Sequence, residues 1–318
     1  MDKTKLQLEE VRSDWAGRSK HWDQRADEVA DMASRINMPL IQAAKIAADH
    51  KVLDLATGAG EPALTIAEMV GKNGHVTATD LVPEMMAGAK RRARDMSLEN
   101  ISFEVADMAD LPFSSDRFDR ATCRFGLMFS PEKQKAVNEV FRVLKPGGRV
   151  AYMVWGEPAD NTMAYVIKGA ARDVFGDDNP LLELDLPFSL SEPGSLTALL
   201  KTAGFEAVEE TPLRRQADVP VGKLSWDSLA DMTAGRARDA ADEAMQAAFN
   251  AEVDRRFAAY IENGAHRIGI RLKLQIIALR FVRLDPVGRP LGIFRPLLIP
   301  RDLGGKHRRA PAQHQRQT

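Results

Sequence analysis

Asp54, Gly58, Gly60, Glu61 and Asp80 are the residues whose types and spacing could do chemistry. Asp54 lies in V-L-D-L-A-T-G-A-G at 52–60, and Asp80 closes V-T-A-T-D at 76–80. An apolar strand that runs into a glycine-rich turn lets backbone approach a ligand, because glycine has no Cβ. A carboxylate ending the next strand can accept hydrogen bonds from both hydroxyls of a ribose. Ligands of open parallel sheets gather at that carboxyl edge. The pattern therefore reads as a site for an adenosine-type cofactor.

Gly58-Ala59-Gly60-Glu61-Pro62-Ala63 also fits a dinucleotide fingerprint, in which a helix N-terminus faces a pyrophosphate. Glu61 would set a negative charge where that pyrophosphate belongs, and Asp54 adds another. Carboxylates suit a ligand that carries an ammonium or sulfonium group. S-adenosylmethionine carries both, and a ribose for Asp80. The bland alternative for the glycine pair is a tight strand–helix turn.

These residues need a scaffold of alternating strands and helices. Strands are expected near 51–55, 75–79, 101–105, 118–124 and 148–155, and helices near 61–71, 83–96 and 131–144. Pro83 and Glu84 suit a first helical turn. Pro146-Gly147-Gly148 suits a helix stop before the fifth strand. Such alternation implies a parallel sheet covered on both faces. A long helical pattern with Pro39 inside it runs from about Gln24 to Asp49. After Trp155 the prolines 158, 180, 187 and 193 mark an insertion with one helix near 160–175. A covering helix is expected over 194–204, then a sixth strand from Phe205, then alanine-rich helices over 223–263. From Ile268 to Ile276 apolar residues alternate with polar ones, a strand pattern, although Arg271 and Lys273 suit a buried strand poorly.

Six segments in order resemble the class I S-adenosylmethionine-dependent methyltransferases, within the ubiquinone/menaquinone-biosynthesis C-methyltransferase-like group. They are H-W-D-Q-R-A (21–26), V-L-D-L-A-T-G-A-G (52–60), T-D-L-V-P-E-M-M (79–86), V-A-D-M-A-D-L-P-F (105–113), F-D-R-A-T-C-R-F-G-L (118–127) and R-V-L-K-P-G-G-R (142–149). The resemblance covers about residues 20–215. It implies an α/β fold: a Rossmann-like, mostly parallel seven-stranded sheet with helices on both faces, an N-terminal helical cap and helical lid insertions. The expected division is a cap over 1–50, a cofactor-binding core over 51–155, an insertion over 156–193, a return to the core over 194–215, a lid over 216–266, and a possible last strand with an atypical basic tail over 267–318.

Carried over by position, the resemblance implies that Asp54, Ala56, Thr57, Gly58 and Gly60 border the methionine moiety of S-adenosyl-L-methionine. Asp80 takes the ribose and Leu81 packs near the adenine. Asp107 and the Met108 backbone reach the adenine amino group, with capping of a short turn as the plain alternative for Asp107. Arg124 and Phe125 lie near the reacting methyl group. No catalytic residue is fixed; His21 and Arg124 are the candidates. Trp22, Met128, Phe129 and Trp155 are candidates for an apolar acceptor pocket, and core packing is their plain alternative. The group's F-G-L-R-N run is here Phe125-Gly126-Leu127-Met128-Phe129, an apolar pair in place of a polar one, which argues against a quinone precursor. The expected activity is methyl transfer to a small, partly apolar acceptor, at carbon or oxygen. A nicotinamide-dependent oxidoreductase and an inactive cofactor-binding protein stay open.

Composition sets the remaining bounds. At 318 residues and 44% hydrophobic, the chain can build a full core. A single cysteine, Cys123, precludes an internal disulfide framework and fits a reducing cytoplasm. The charged start and the absence of an apolar run of about 18 residues give no expectation of a signal peptide or membrane span. No metal is expected, because no H-E-x-x-H or C-x-x-C occurs. Net charge is -1, yet residues 267–318 hold 12 Lys/Arg against 2 Asp/Glu (+10) and the rest 32 against 43 (−11). A small-molecule acceptor is the expected partner and nucleic acid is not. Oligomeric state is open.

Overall fold

The structure is a computed structural model and describes residues 3–24, 36–222, 224 and 226–278. Five parallel strands form its centre: β1 (Lys51–Leu55), β2 (His75–Asp80), β3 (Ile101–Val105), β4 (Phe118–Arg124) and β5 (Leu144–Trp155). In β1 the apolar Val52, Leu53 and Leu55 are buried, as required of a central strand covered on both faces. Along β5, Val150, Tyr152 and Val154 face one core while Ala151 and Met153 face the other. That alternation is the two-residue period of a strand.

Helix α1 is Lys3–Gln24, and a second helix, α2, covers residues 36–43. Pro39 lies inside α2. The 25–35 part of the expected cap falls outside the described residues. Helices α3 (Ala63–Val70), α4 (Met86–Asp95) and α5 (Lys133–Val143) follow β1, β2 and β4. In α5 the buried residues Ala136, Val137, Val140 and Val143 recur at helical spacing and make one apolar face. Strand β5 starts at Leu144, four residues before the expected position, so Pro146-Gly147-Gly148 lies within the strand. The ladder with β4 absorbs it as a register shift between Phe118 and Arg120.

Beyond β5 come α6 (Thr162–Phe175), α7 (Ser195–Thr202), β6 (Val208–Pro220), α8 (Asp227–Ala240), α9 (Glu243–Ala258), the two-residue β7 (Ile261–Glu262) and β8 (Ala265–Ala278). The strand order is β3-β2-β1-β4-β5-β8-β6, with β7 paired to β8. Seven strands thus lie along the sheet and an eighth, short one sits off its path. Strand β8 is antiparallel to both neighbours, and its backbone pairs Leu274 with Met153 and Thr211. The period-two pattern at 268–276 therefore marks a real strand. Strand β6 runs to Pro220, so residues 216–220, expected in the lid, are strand. Because β6 runs parallel to β5, α8 and α9 leave it at the sheet's carboxyl end. No described helix is long and apolar enough to cross a membrane.

Candidate functional site

The ends of β1, β2 and β4 meet at the carboxyl edge. Register explains the first contact: Asp54 pairs with Ala78 on one side and Thr122 on the other. Thr122 Oγ1 donates to Asp54 Oδ1 at 2.5 Å. Asp54 is fully buried, and burial pushes its carboxyl up to about 7. Its second oxygen, Oδ2, and the hydroxyl of Thr57 are buried, and Thr57 stands close enough to oppose the upward shift as a hydrogen-bond donor. Asp54, Thr57 and Gly60 are not among the residues that line the cavity described below.

The turn is held from β2. Asp80 Oδ2 accepts the Gly58 N–H at 2.9 Å and Oδ1 accepts the Val82 N–H at 3.0 Å. Burial raises the Asp80 pKa, and these backbone donors oppose it. Each carboxylate oxygen keeps a second lone pair for a ligand. Gly58 (φ 51°) and Gly60 (φ 109°) adopt left-handed backbone, which favours glycine. Ala56 shares it at φ 52°. Room for the Ala56 side chain comes from Gly126, where a Cβ would stand 2.4 Å from that of Ala56.

Asp107 combines its two readings: Oδ1 accepts the Ala109 N–H at 2.9 Å, closing a local turn, and the residue lines the same cavity as Asp80, Leu81 and Met108. Ala56 and Gly58 line it as well. The rest of the lining includes the rings of Phe125 and Phe129; Phe125 stacks on Trp155 with centroids 4.8 Å apart, and Phe129 meets Trp15 edge-on at 5.1 Å.

Several expected residues sit elsewhere. Met128 is fully buried in the core and does not line the cavity, so its apolar character serves packing. Trp155 and Trp22 also lie behind the lining: Trp155 supports Phe125, and Trp22 neighbours Trp15 at 6.2 Å. Arg124 turns away and donates from Nε and Nη2 to the Glu61 carbonyl oxygen at 3.3 and 3.0 Å. The His21 side chain lies outside the described residues. Glu61 is not a free charge at the helix start. Arg92 Nη2 pairs with it at 3.0 Å, and Asn37 and Thr65 donate to its other carboxylate oxygen. The Glu61 argument against a pyrophosphate therefore loses its force, and burial weakens that of Asp54, whose carboxyl is pushed up to about 7.

The sequence reading expected a helical cap over 1–50 but named none of the α1 residues that line the cavity. Leu8, Val11 and Trp15 line the cavity, and their spacing of three and four residues, which puts them on one helix face, was the available signal. Asp23 anchors this helix through a two-fold bond to Arg91 at 2.9 and 3.2 Å. Cys123 is buried and its thiol is pushed up to about 12. Among the described residues no cluster of three or more His, Cys, Asp or Glu could hold a metal ion.

The profile of the ubiE/COQ5 methyltransferase family matches residues 34–169. The Proteus mirabilis ubiquinone/menaquinone biosynthesis C-methyltransferase UbiE is 37% identical over 54% of this chain and 72% of its own length. The chain belongs to the ubiE/COQ5 methyltransferase family. With that family come the enzyme class, methyltransferase, and the donor, S-adenosyl-L-methionine; the nicotinamide alternative falls away. The arsenite methyltransferase of Halobacterium salinarum is 32% identical over 65% of this chain, which spans only 51% of that relative. Among solved structures, YcgJ of Bacillus subtilis superposes with a TM-score of 0.50 at 23% identity, covering 76% of this chain and 96% of its own. BH2331 of Bacillus halodurans gives 0.52 at 20%, covering 76% and 97%. These two show the fold.

Proposed function

We propose that this chain transfers a methyl group from S-adenosyl-L-methionine to the carbon or oxygen of a small, partly apolar acceptor in the cavity between α1 and the end of β4. One observation carries the reading: a single cavity at the carboxyl edge is lined by the acidic side chains of Asp80 and Asp107 together with the rings of Trp15, Phe125 and Phe129. Asp80 holds the ribose, Leu81 and Met108 flank the adenine, and Asp107 meets the adenine edge. Asp54, Ala56, Thr57, Gly58 and Gly60 border the methionine end. The bound donor supplies an electrophilic methyl group with a neutral leaving group. The protein's part is alignment of the acceptor and exclusion of water. The aromatic rings of the lining do both. Arg124 acts as a positioning residue that fixes the Glu61 turn, and His21 is the candidate base for an acceptor that must lose a proton.

An arsenite acceptor is disfavoured. Soft centres are held by thiolates, and the one thiol here is buried and hard to ionise.

The test is ligand-dependent melting. S-adenosylhomocysteine at about 100 times its dissociation constant should add roughly 2.7 kcal/mol, whereas NAD should add nothing. A shift with NAD alone removes the cofactor assignment. Transfer of label from S-adenosylmethionine across a panel of phenols, quinols and carboxylic acids then identifies the acceptor.

A further inference from the structure

Among the described residues that line the cavity, one polar side chain has nothing to bond. Ser130 lines the cavity beside Phe129 and Pro131. It is 6% exposed, and its hydroxyl is buried without a hydrogen-bond partner. Its backbone is already engaged: the N–H donates to Leu127 O at 3.1 Å, and the carbonyl accepts Lys133 Nζ at 3.0 Å. An unpaired buried hydroxyl is costly. Rotation about a single χ1 is enough to redirect it among three staggered positions. The acidic residues of the lining each hold local backbone, Asp80 that of Gly58 and Val82, Asp107 that of Ala109, and as carboxylates they only accept. The rings of Trp15 and Phe129 and the alkyl group of Val11, in the same lining, provide shape but little polarity.

We propose that Ser130 is the polar anchor of the acceptor. Its hydroxyl hydrogen-bonds an oxygen on an otherwise flat, apolar molecule and so selects an oxygen-bearing ring over a bare hydrocarbon. Sites built this way, apolar with few placed polar groups, take orientation from those groups. They also discriminate against the analogue that leaves the polar group unpaired. The inference rests on the methyltransferase reading only in naming the occupant of this end the acceptor.

The experiment titrates the full chain, saturated with S-adenosylhomocysteine, with p-cresol and with toluene by calorimetry. The wild type should bind p-cresol about 3- to 10-fold more tightly, the worth of one neutral hydrogen bond. Ser130→Ala should erase that preference without lowering the melting temperature, Ser130→Thr should retain it, and both variants should keep the wild-type cofactor-product affinity. The proposal is overturned if Ser130→Ala keeps the preference, or if the wild type shows none or binds neither probe. It is also overturned if Ser130→Ala loses affinity for S-adenosylhomocysteine, since the hydroxyl then serves the cofactor. Failure of the wild type to bind S-adenosylhomocysteine sinks the methyltransferase reading instead, and the same titrations on the ligand-free chain still judge the anchor.

Discussion

Gly126 and Ala56 interlock. A Cβ on Gly126 would come within 2.4 Å of the Ala56 Cβ and 3.0 Å of Cys123 Sγ. The exit of β4 and the glycine turn after β1 are thus fitted to each other, although 70 residues of sequence separate them. Gly126→Ala should cost about 1–3 kcal/mol of stability through overpacking. Ala56→Gly removes the obstructing methyl and relieves a left-handed alanine. The double variant should recover most of the loss, with a coupling of about 1 kcal/mol or more in a denaturation cycle. Additive losses would show that the two positions do not press on each other.

Asp80 has two jobs, and its removal should show both. Asp80→Ala leaves the N–H groups of Gly58 and Val82 without their acceptor, at roughly 1–3 kcal/mol for each buried group that water cannot reach. Affinity for S-adenosylhomocysteine should fall as well. Urea denaturation and calorimetric titration separate the two effects. Full stability in the variant would mean that the turn does not lean on Asp80.

The Asp54 carboxyl gives a pH signature. Its folded pKa, raised by burial to about 7 from 3.8, means that the folded state holds the proton more tightly. Stability from this group is fully present below the unfolded value and is lost as pH rises toward 7. Between pH 5 and 8 the wild type should lose roughly 2–3 kcal/mol relative to Asp54→Asn. Parallel stability curves for the two proteins across that range would contradict the burial argument.

Every described residue that lines the cavity falls between Leu8 and Pro131. A chain truncated after Val282 should therefore keep its affinity for S-adenosylhomocysteine in a calorimetric titration. A folded truncation that no longer binds would make the basic segment part of the site.

Legibility of the site followed the physics of each signal. That Asp54, Gly58 and Asp80 gather at one sheet edge was readable because strand ends and glycine turns are local, and that edge is fixed by topology. Trp15 was not readable as a wall of the cavity, since a helical spacing of Leu8, Val11 and Trp15 states which face is apolar but not what it covers. Met128 was misplaced for the related reason that an apolar residue beside a strand end suits a pocket and a core equally, and only packing chooses. The partner of Glu61 was equally hidden: Arg92 lies 31 residues away, one turn before the end of a different helix. The fold was plainer. Its strands were found to within a few residues, and the miss at Leu144 arose because a proline–glycine run can bulge a strand as well as end a helix.

The place of β8 between β5 and β6 sets an order of assembly. Among the described residues β6 pairs with no strand except β8, and α8 and α9 are synthesised in between. A nascent chain that has made β6 cannot close its sheet until Ala265–Ala278 has left the ribosome. Until then one side of β5 and both sides of β6 offer unpaired backbone, the template on which strands of other chains aggregate. Pausing of translation before Ala265–Ala278 has emerged should therefore be far more damaging than pausing after it has.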